Sequence, residues 1–147
     1  MTTSTLTIRR LVPGDHAQWL PLWQGYLDFY RTTLAPEITE LTWQRLHDAL
    51  EPMTGFGAVA DGRLGGFVIM VSHRSTWART GYAYLEDLYV APELRGQGAG
   101  RALIAAVYAE ADRLSLERVY WVTDTANPAR KLYDQMARLG DFVQYRR

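Results

Sequence analysis

The stretch YLEDLYVAPELRGQGAGRALI, Tyr84 to Ile104, decides how the rest of the chain is read. Its first part belongs to a run from Tyr82 to Val90 that suits a long strand, and APEL turns that run into a glycine segment. Gly96, Gly98 and Gly100 follow within five residues. Then Leu103, Ile104, Val107, Ala111 and Leu114 keep a helical stripe. A strand, a glycine turn and a helix in this order suit an anion. Glycine lets the backbone approach closely, and the amides and dipole of the helix N-terminus favour negative charge.

Three chemistries compete for such a loop. A Walker A loop needs Lys-Ser or Lys-Thr after its last glycine, whereas Arg101 and Ala102 follow Gly100. A dinucleotide fingerprint needs G-x-G-x-x-G, an acid about 20 residues on, and further parallel βα units. Asp124 stands near that offset, but the spacing is G-x-G-x-G and only one such unit is present. The third is a pyrophosphate held by successive backbone N–H groups, which needs neither a lysine nor a second mononucleotide unit.

Working outward, STLTIRRL alternates as an opening strand and PGD breaks it. Asp15 and Gln18 have capping-box spacing, and Trp19, Leu20, Trp23, Tyr26, Leu27 and Tyr30 share a helical face, with Pro21 set to kink the helix or delay its start. A second helix is expected over Glu40 to Leu50 with Trp43, Leu46 and Leu50 inward. GFGAVADGRLGGFVIMVSH reads as a hairpin about Asp61-Gly62-Arg63. Beyond the long helix, RVYWVT reads as a buried strand, NPARKLYDQM as a helix with Pro128 in its first turn, and FVQYRR as a closing strand. The expected fold is a single α/β domain over 1–147, with an antiparallel front half and one βαβ crossover.

Composition narrows the partners. With 147 residues the chain can bury one core, and Lys+Arg 16 against Asp+Glu 16 gives no bulk field to recommend nucleic acid or a membrane. No cysteine is present, which excludes disulfides, a thiol nucleophile and thiolate metal sites. His16, His47 and His73 lack metal-ligand spacing, so no metal is expected. MTTSTLTIRR lacks the apolar core of a signal peptide and no apolar run reaches membrane-span length, so the expectation is a cytoplasmic protein.

The glycine segment resembles the acyl-CoA binding motif of the GNAT superfamily of N-acetyltransferases, Arg95, Gly98 and Gly100 filling its Gln/Arg-x-x-Gly-x-Gly/Ala signature. TANPARKLYDQM is similar to the family's second segment, with Asn127, Ala129, Leu132 and Tyr133 at the matching positions. HRSTWA, YLEDLYV and FVQYRR further resemble a branch related to a yeast histone and polyamine acetyltransferase. The resemblance implies a mixed, mostly antiparallel sheet with a central splayed strand pair and flanking helices. It also implies acetyl-CoA as acyl donor, its pantetheine arm bonded by backbone groups of Leu88 and Val90. Its pyrophosphate would lie on the amides of Gly96, Gln97, Gly98, Ala99, Gly100 and Arg101, with charge from Arg95 and Arg101, and Asn127 would belong to the same site.

Acetyl transfer to an amine needs a proton donor to the departing thiolate, an oxyanion donor and a base. The resemblance implies Tyr133 for the first and the Val90 N–H for the second. Glu86 is the candidate base, since burial beside the thioester would raise its pKa; its other reading is a structural carboxylate. Strand alternation sends its neighbour Asp87 to the opposite face. Tyr26, Tyr30, His73 and Trp77 are candidate walls for the amine, with core packing as the competing role for Tyr26 and Tyr30. Small amines, polyamines and lysine side chains are compatible acceptors. A non-catalytic acyl-CoA binding module on the same fold would keep the loop without needing Tyr133 or Glu86. The edge of FVQYRR could pair with a second subunit in a homodimer.

Overall fold

The Asp61-Gly62 turn forms as expected. Both residues have positive φ (53° and 73°), and Ala60 stands opposite Arg63 across a two-residue loop. The computed structural model describes residues 5–147, so Ser4, the first residue of the expected opening strand, lies outside the described residues. In chain order the elements are β1 (Leu6–Arg10), α1 (His16–Phe29), α2 (Pro36–Leu46), β2 (Met53–Ala60), β3 (Arg63–His73), β4 (Tyr82–Val90), α3 (Ala99–Arg113), β5 (Arg118–Tyr120) and α4 (Arg130–Met136). The strands form one five-stranded sheet in the order β1-β2-β3-β4-β5. The first three pairings are antiparallel and β4–β5 is parallel, with α3 as the crossover.

Two apolar layers sandwich the sheet. On one face Val68, Met70, Ala83 and Leu85 pack under α3 through Leu103, Ile104 and Val107, with Leu132 and Tyr133 of α4 at the margin. On the other, Phe67 and Ile69 pack under α1 and α2 through Trp19, Trp23, Leu27, Trp43 and Leu46. Trp19, Trp23 and Leu27 of the expected α1 stripe are buried, joined by Leu22, whereas Tyr30 lies just beyond the helix and is exposed; the helix runs from His16 through Pro21 without a break.

Several local expectations fail, among them that for Pro128, which precedes α4 instead of standing in its first turn. Gln18 does not cap Asp15: its Oε1 accepts the Leu64 N–H at 2.8 Å. The Asp15 carboxylate instead accepts the Val12 N–H and both Arg9 guanidinium nitrogens, at 2.8–2.9 Å. That pairing holds the Asp15 carboxyl below its usual range. α2 starts at Pro36 and ends at Leu46, because proline suits a first helical position. The Asp48 side chain then accepts the Leu50 N–H, turning Leu50 outward to 93% exposure. β5 stops at Tyr120, leaving Val122 exposed. FVQYRR has no strand assignment, and Phe142, Val143 and Tyr145 are exposed. Its alternation supplies strand propensity but, among the described residues, no neighbouring strand supplies the ladder hydrogen bonds.

Gly81, just before β4, has φ 146°, and an added Cβ would lie 2.3 Å from the His73 carbonyl oxygen. Both objections are backbone ones, so a side chain cannot relieve them by changing rotamer. Gly81→Ala is expected to lose about 2–3 kcal/mol, or about 5–10 °C in Tm by thermal unfolding. An unchanged Tm would show that this turn can relax.

Candidate active site

A bulge in β4 organises the site. Ile69 of β3 pairs with Asp87 and Met70 pairs with Leu85, so Glu86 is an extra, unpaired residue. The bulge breaks the alternation that assigned Glu86 and Asp87 to opposite faces. Tyr84 and Glu86 share the α1 side by normal alternation, and Asp87 also lies on that side, hydrogen-bonded to Tyr26 of α1. The expectation that Asp87 faces away is therefore corrected. Two adjacent carboxylates enter one face of the sheet.

The strand pair beyond the bulge is splayed. β4–β5 pairing covers only Tyr82 to Tyr84 against Arg118 to Tyr120, while β4 continues to Val90. Ala91 N–H bonds the Gly65 carbonyl at 2.8 Å, so Ala91–Gly65 is a bonded pair and alternate pairs along the antiparallel ladder are not. By that alternation the N–H and C=O of Leu88 and Val90 face away from β3, into the gap beside β5. The Arg95 Nε–H reaches the Val90 carbonyl at 3.0 Å from that direction.

The glycine loop opens onto the C-terminal end of β4. Gly96 and Gly98 have φ of 79° and 85°, and an added Cβ at either would meet nothing within 4 Å. These glycines serve the left-handed backbone and leave open space beside it. Gly98 is the residue before α3 and its carbonyl accepts the Ala102 N–H at 3.0 Å, leaving the Ala99, Gly100 and Arg101 amides without an intrahelical acceptor. Gly100 has a packing role too, since a Cβ there would come within 3.2 Å of Leu132. A group carrying two phosphates fits this cradle of free amides. The arginines are partly engaged: Arg95 also lies 5.8 Å over the Tyr89 ring, and Arg101 bonds Gln135 and the Met136 sulfur at the end of α4. Gln97 is exposed and its side chain reaches back to the Glu93 carbonyl at 3.4 Å.

Burial tunes the titratable groups. Desolvation, reinforced by the neighbouring Glu86 charge, pushes the Asp87 carboxyl up to about 7 despite the stabilising Tyr26 hydrogen bond. Glu86, less buried, is raised by desolvation alone. Tyr26 is raised by burial first and by Asp87 next. Tyr133 is pushed up to about 12, chiefly by burial, and its ring meets Trp121 edge-on at 5.4 Å. Tyr26 and Tyr30 lie edge-to-face at 5.1 Å, and the Asn127 amide donates to the Tyr30 hydroxyl at 3.3 Å and to Thr123 Oγ1 at 2.8 Å. Asn127 Oδ1 also accepts the Ala129 N–H at 2.9 Å, so this side chain organises the turn into α4.

Tyr26, Tyr30 and Asn127 are thus linked by contact, and the charge of Glu86 acts on the Tyr26 phenol and that of Tyr30 on the Tyr133 phenol. His73 sits at the far end of β3, where its ring meets Tyr82 and Tyr120 edge-on. Trp77 is 73% exposed on the following loop and makes no ring contact among the described residues. Sequence reasoning missed Asp87 as a site residue. Its only signal was a carboxylate on a strand otherwise suited to burial, and a period-two rule sent it to the wrong face. Tyr84, stacked on Tyr120 at 5.0 Å, was missed as part of the site's floor.

The chain matches the acetyltransferase (GNAT) family over residues 19–137. It is 36% identical to the D-amino-acid N-acetyltransferase HPA3 of Saccharomyces cerevisiae, over 100% of this chain and 93% of that protein. It is also 36% identical to an aminoglycoside N(6')-acetyltransferase type 1 of Stenotrophomonas maltophilia, over 74% of this chain and 69% of the other. Among solved structures, a ribosomal-protein-alanine N-acetyltransferase from Brucella melitensis superposes with a TM-score of 0.81 at 26% identity, covering 96% of this chain and 97% of that one. No helix among the described residues is long and apolar enough to cross a membrane.

Proposed function

The chain belongs to the GNAT acetyltransferase family, and from that membership we propose that it transfers the acetyl group of acetyl-CoA to a primary amine by direct attack in a ternary complex. The observation that supports this reading is the juxtaposition of a β4 edge left unpaired by β5 beyond Tyr84, two carboxylates on the α1 side of that strand, and the free amides of the glycine loop at its end.

In this mechanism the donor's pantetheine arm lies along β4, bonded by Leu88 and Val90, and its pyrophosphate rests on the amides from Gly96 to Arg101. Arg95 supplies charge beside them, and Asn127 acts indirectly by fixing the turn that presents Tyr133. The acceptor enters as an ammonium over Tyr26, Tyr30 and Tyr84, attracted by the Glu86 and Asp87 charges. Glu86 takes the ammonium proton directly or through water, since it is the more accessible carboxylate and Asp87 is engaged with Tyr26. The amine nitrogen attacks the thioester carbon, the developing oxyanion is met by the Val90 N–H, and the carbon–sulfur bond breaks. Tyr133 hydrogen-bonds to the leaving sulfur. With a phenol near 12, complete proton transfer to a thiolate is uphill, so its contribution lies in stabilising the charge as it forms.

The test is release of free CoA from acetyl-CoA in the presence of a D-amino acid, a polyamine, a lysine peptide and an aminoglycoside. At least one amine is expected to raise release well above the no-amine background. Failure with all four, while acetyl-CoA still raises Tm, would identify a non-catalytic acyl-CoA binding module instead.

A further inference from the structure

One carbonyl assigned to the donor arm already has a partner. Past Tyr84, β4 has no strand paired on its β5 side, so the backbone groups there need other partners. At Val90 the partner is the Arg95 Nε–H, 3.0 Å from the carbonyl oxygen. Register fixes the direction of approach. Val90 stands opposite Gly66, while the bonded pair is Ala91 with Gly65, so the Val90 carbonyl points away from β3 and Arg95 meets it from the gap. The arginine therefore lies where the pantetheine arm is assigned.

A second contact rests the guanidinium there. Its Cζ lies 5.8 Å over the Tyr89 ring. That ring is itself held in place, since a Cβ added at Gly25 of α1 would come within 2.5 Å of the Tyr89 hydroxyl. Among the described residues these are the side-chain contacts of Arg95, and both terminal nitrogens of the guanidinium are uncommitted. Those nitrogens are the ones that grip an oxyanion. Arg95 also directly precedes the glycine loop, whose Gly96 and Gly98 leave open space beside the backbone. Side-chain rotation alone takes the guanidinium from the Val90 carbonyl to an anion seated on that loop.

Resting on the reading that acetyl-CoA is the donor, we propose that Arg95 selects for the donor's diphosphate by exchange. It occupies the Val90 carbonyl until a phosphate draws it onto the loop, and that carbonyl is then free to accept an N–H of the pantetheine arm. Diphosphate and arm thus bind cooperatively through one side chain. A pantetheine thioester without phosphates must displace the arginine with nothing to compensate, so Arg95 favours thioesters of coenzyme A over those of pantetheine alone.

The probes are pantetheine, CoA and inorganic pyrophosphate, with binding read by calorimetry so that no acceptor or turnover is involved. Arg95→Ala is expected to tighten pantetheine by about three- to tenfold and to weaken CoA, because the variant loses the competing bond and the phosphate contact together. Arg95→Met keeps an unbranched side chain beside Tyr89 but has no N–H, and it should gain pantetheine affinity too. In the wild type, saturating pyrophosphate should tighten pantetheine by a similar factor; in either variant it should have no effect. A gain confined to Arg95→Ala would mark steric opening of the gap and overturn the exchange. So would pantetheine affinity that is unchanged or weaker in both variants, or pyrophosphate that leaves wild-type pantetheine binding unmoved. Wild-type protein that binds CoA but fails these comparisons keeps the donor reading and removes the exchange; wild-type protein that binds neither CoA nor pantetheine removes both.

Discussion

Tyr133→Phe is expected to lower kcat for acetyl transfer by about 10²- to 10⁴-fold, while the rise in Tm produced by acetyl-CoA should stay unchanged. The substitution keeps the ring against Trp121 and removes only the hydroxyl, so packing and donor binding should survive. In the proposed mechanism the hydroxyl hydrogen-bonds to charge that appears only as the carbon–sulfur bond breaks, so the loss should fall on kcat. Because burial holds this phenol protonated up to about pH 12, Tyr133 should add no basic limb to the kcat profile in the range where the enzyme is assayed. A Phe variant with wild-type kcat, or one that loses a basic limb present in the wild type, would remove Tyr133 from this role.

Asp87→Asn should lower kcat/KM by about ten- to a hundredfold at pH 8, and it should also stabilise the protein. The folded-state carboxyl is pushed up to about 7 by burial and by Glu86, whereas in the unfolded chain it titrates near 4. Between those values the native state holds a proton that the unfolded state has released. Stability therefore falls as pH rises from about 4 to about 7, and beyond that the full loss persists. Asparagine removes that loss. The variant should match the wild type below about pH 4 and exceed it by up to about 4 kcal/mol near pH 8, as read by denaturant titration at both pH values. A carboxylate kept at such a cost in stability is what a functional group at a buried site looks like. The wild-type kcat/KM should rise through about pH 7 with a component absent in the variant. If the variant is less stable at pH 8, Asp87 is a structural anchor for Tyr26 and α1 instead.

The proposed base and its neighbour show how a local rule fails. Alternation predicts one carboxylate per face and is right for Tyr82, Tyr84 and Glu86. It fails at Asp87 because one unpaired residue reverses every later side chain relative to the earlier ones. Nothing in YLEDLYV marks the extra residue; it emerges from the pairing of Asp87 with Ile69 and of Leu85 with Met70, residues of the preceding strand. The closing strand fails differently. FVQYRR has the right propensity, but a strand is a relation between two segments, and no described segment pairs with it.

What the sequence determined by itself was local and periodic. The Asp61-Gly62 turn, the α1 and α3 stripes, the glycine loop before α3 and the placement of Tyr133 after Asn127 are set by residues within a few positions of one another, where backbone sterics and side-chain spacing act directly. The family followed from those motifs. The tertiary structure alone decided the face of Asp87, the outward turn of Leu50, the early end of β5 and the assembly of Tyr82, Tyr84, Tyr120 and His73 into one floor. Each depends on contacts between segments distant in sequence, whose geometry and desolvation exist only once the sheet has closed.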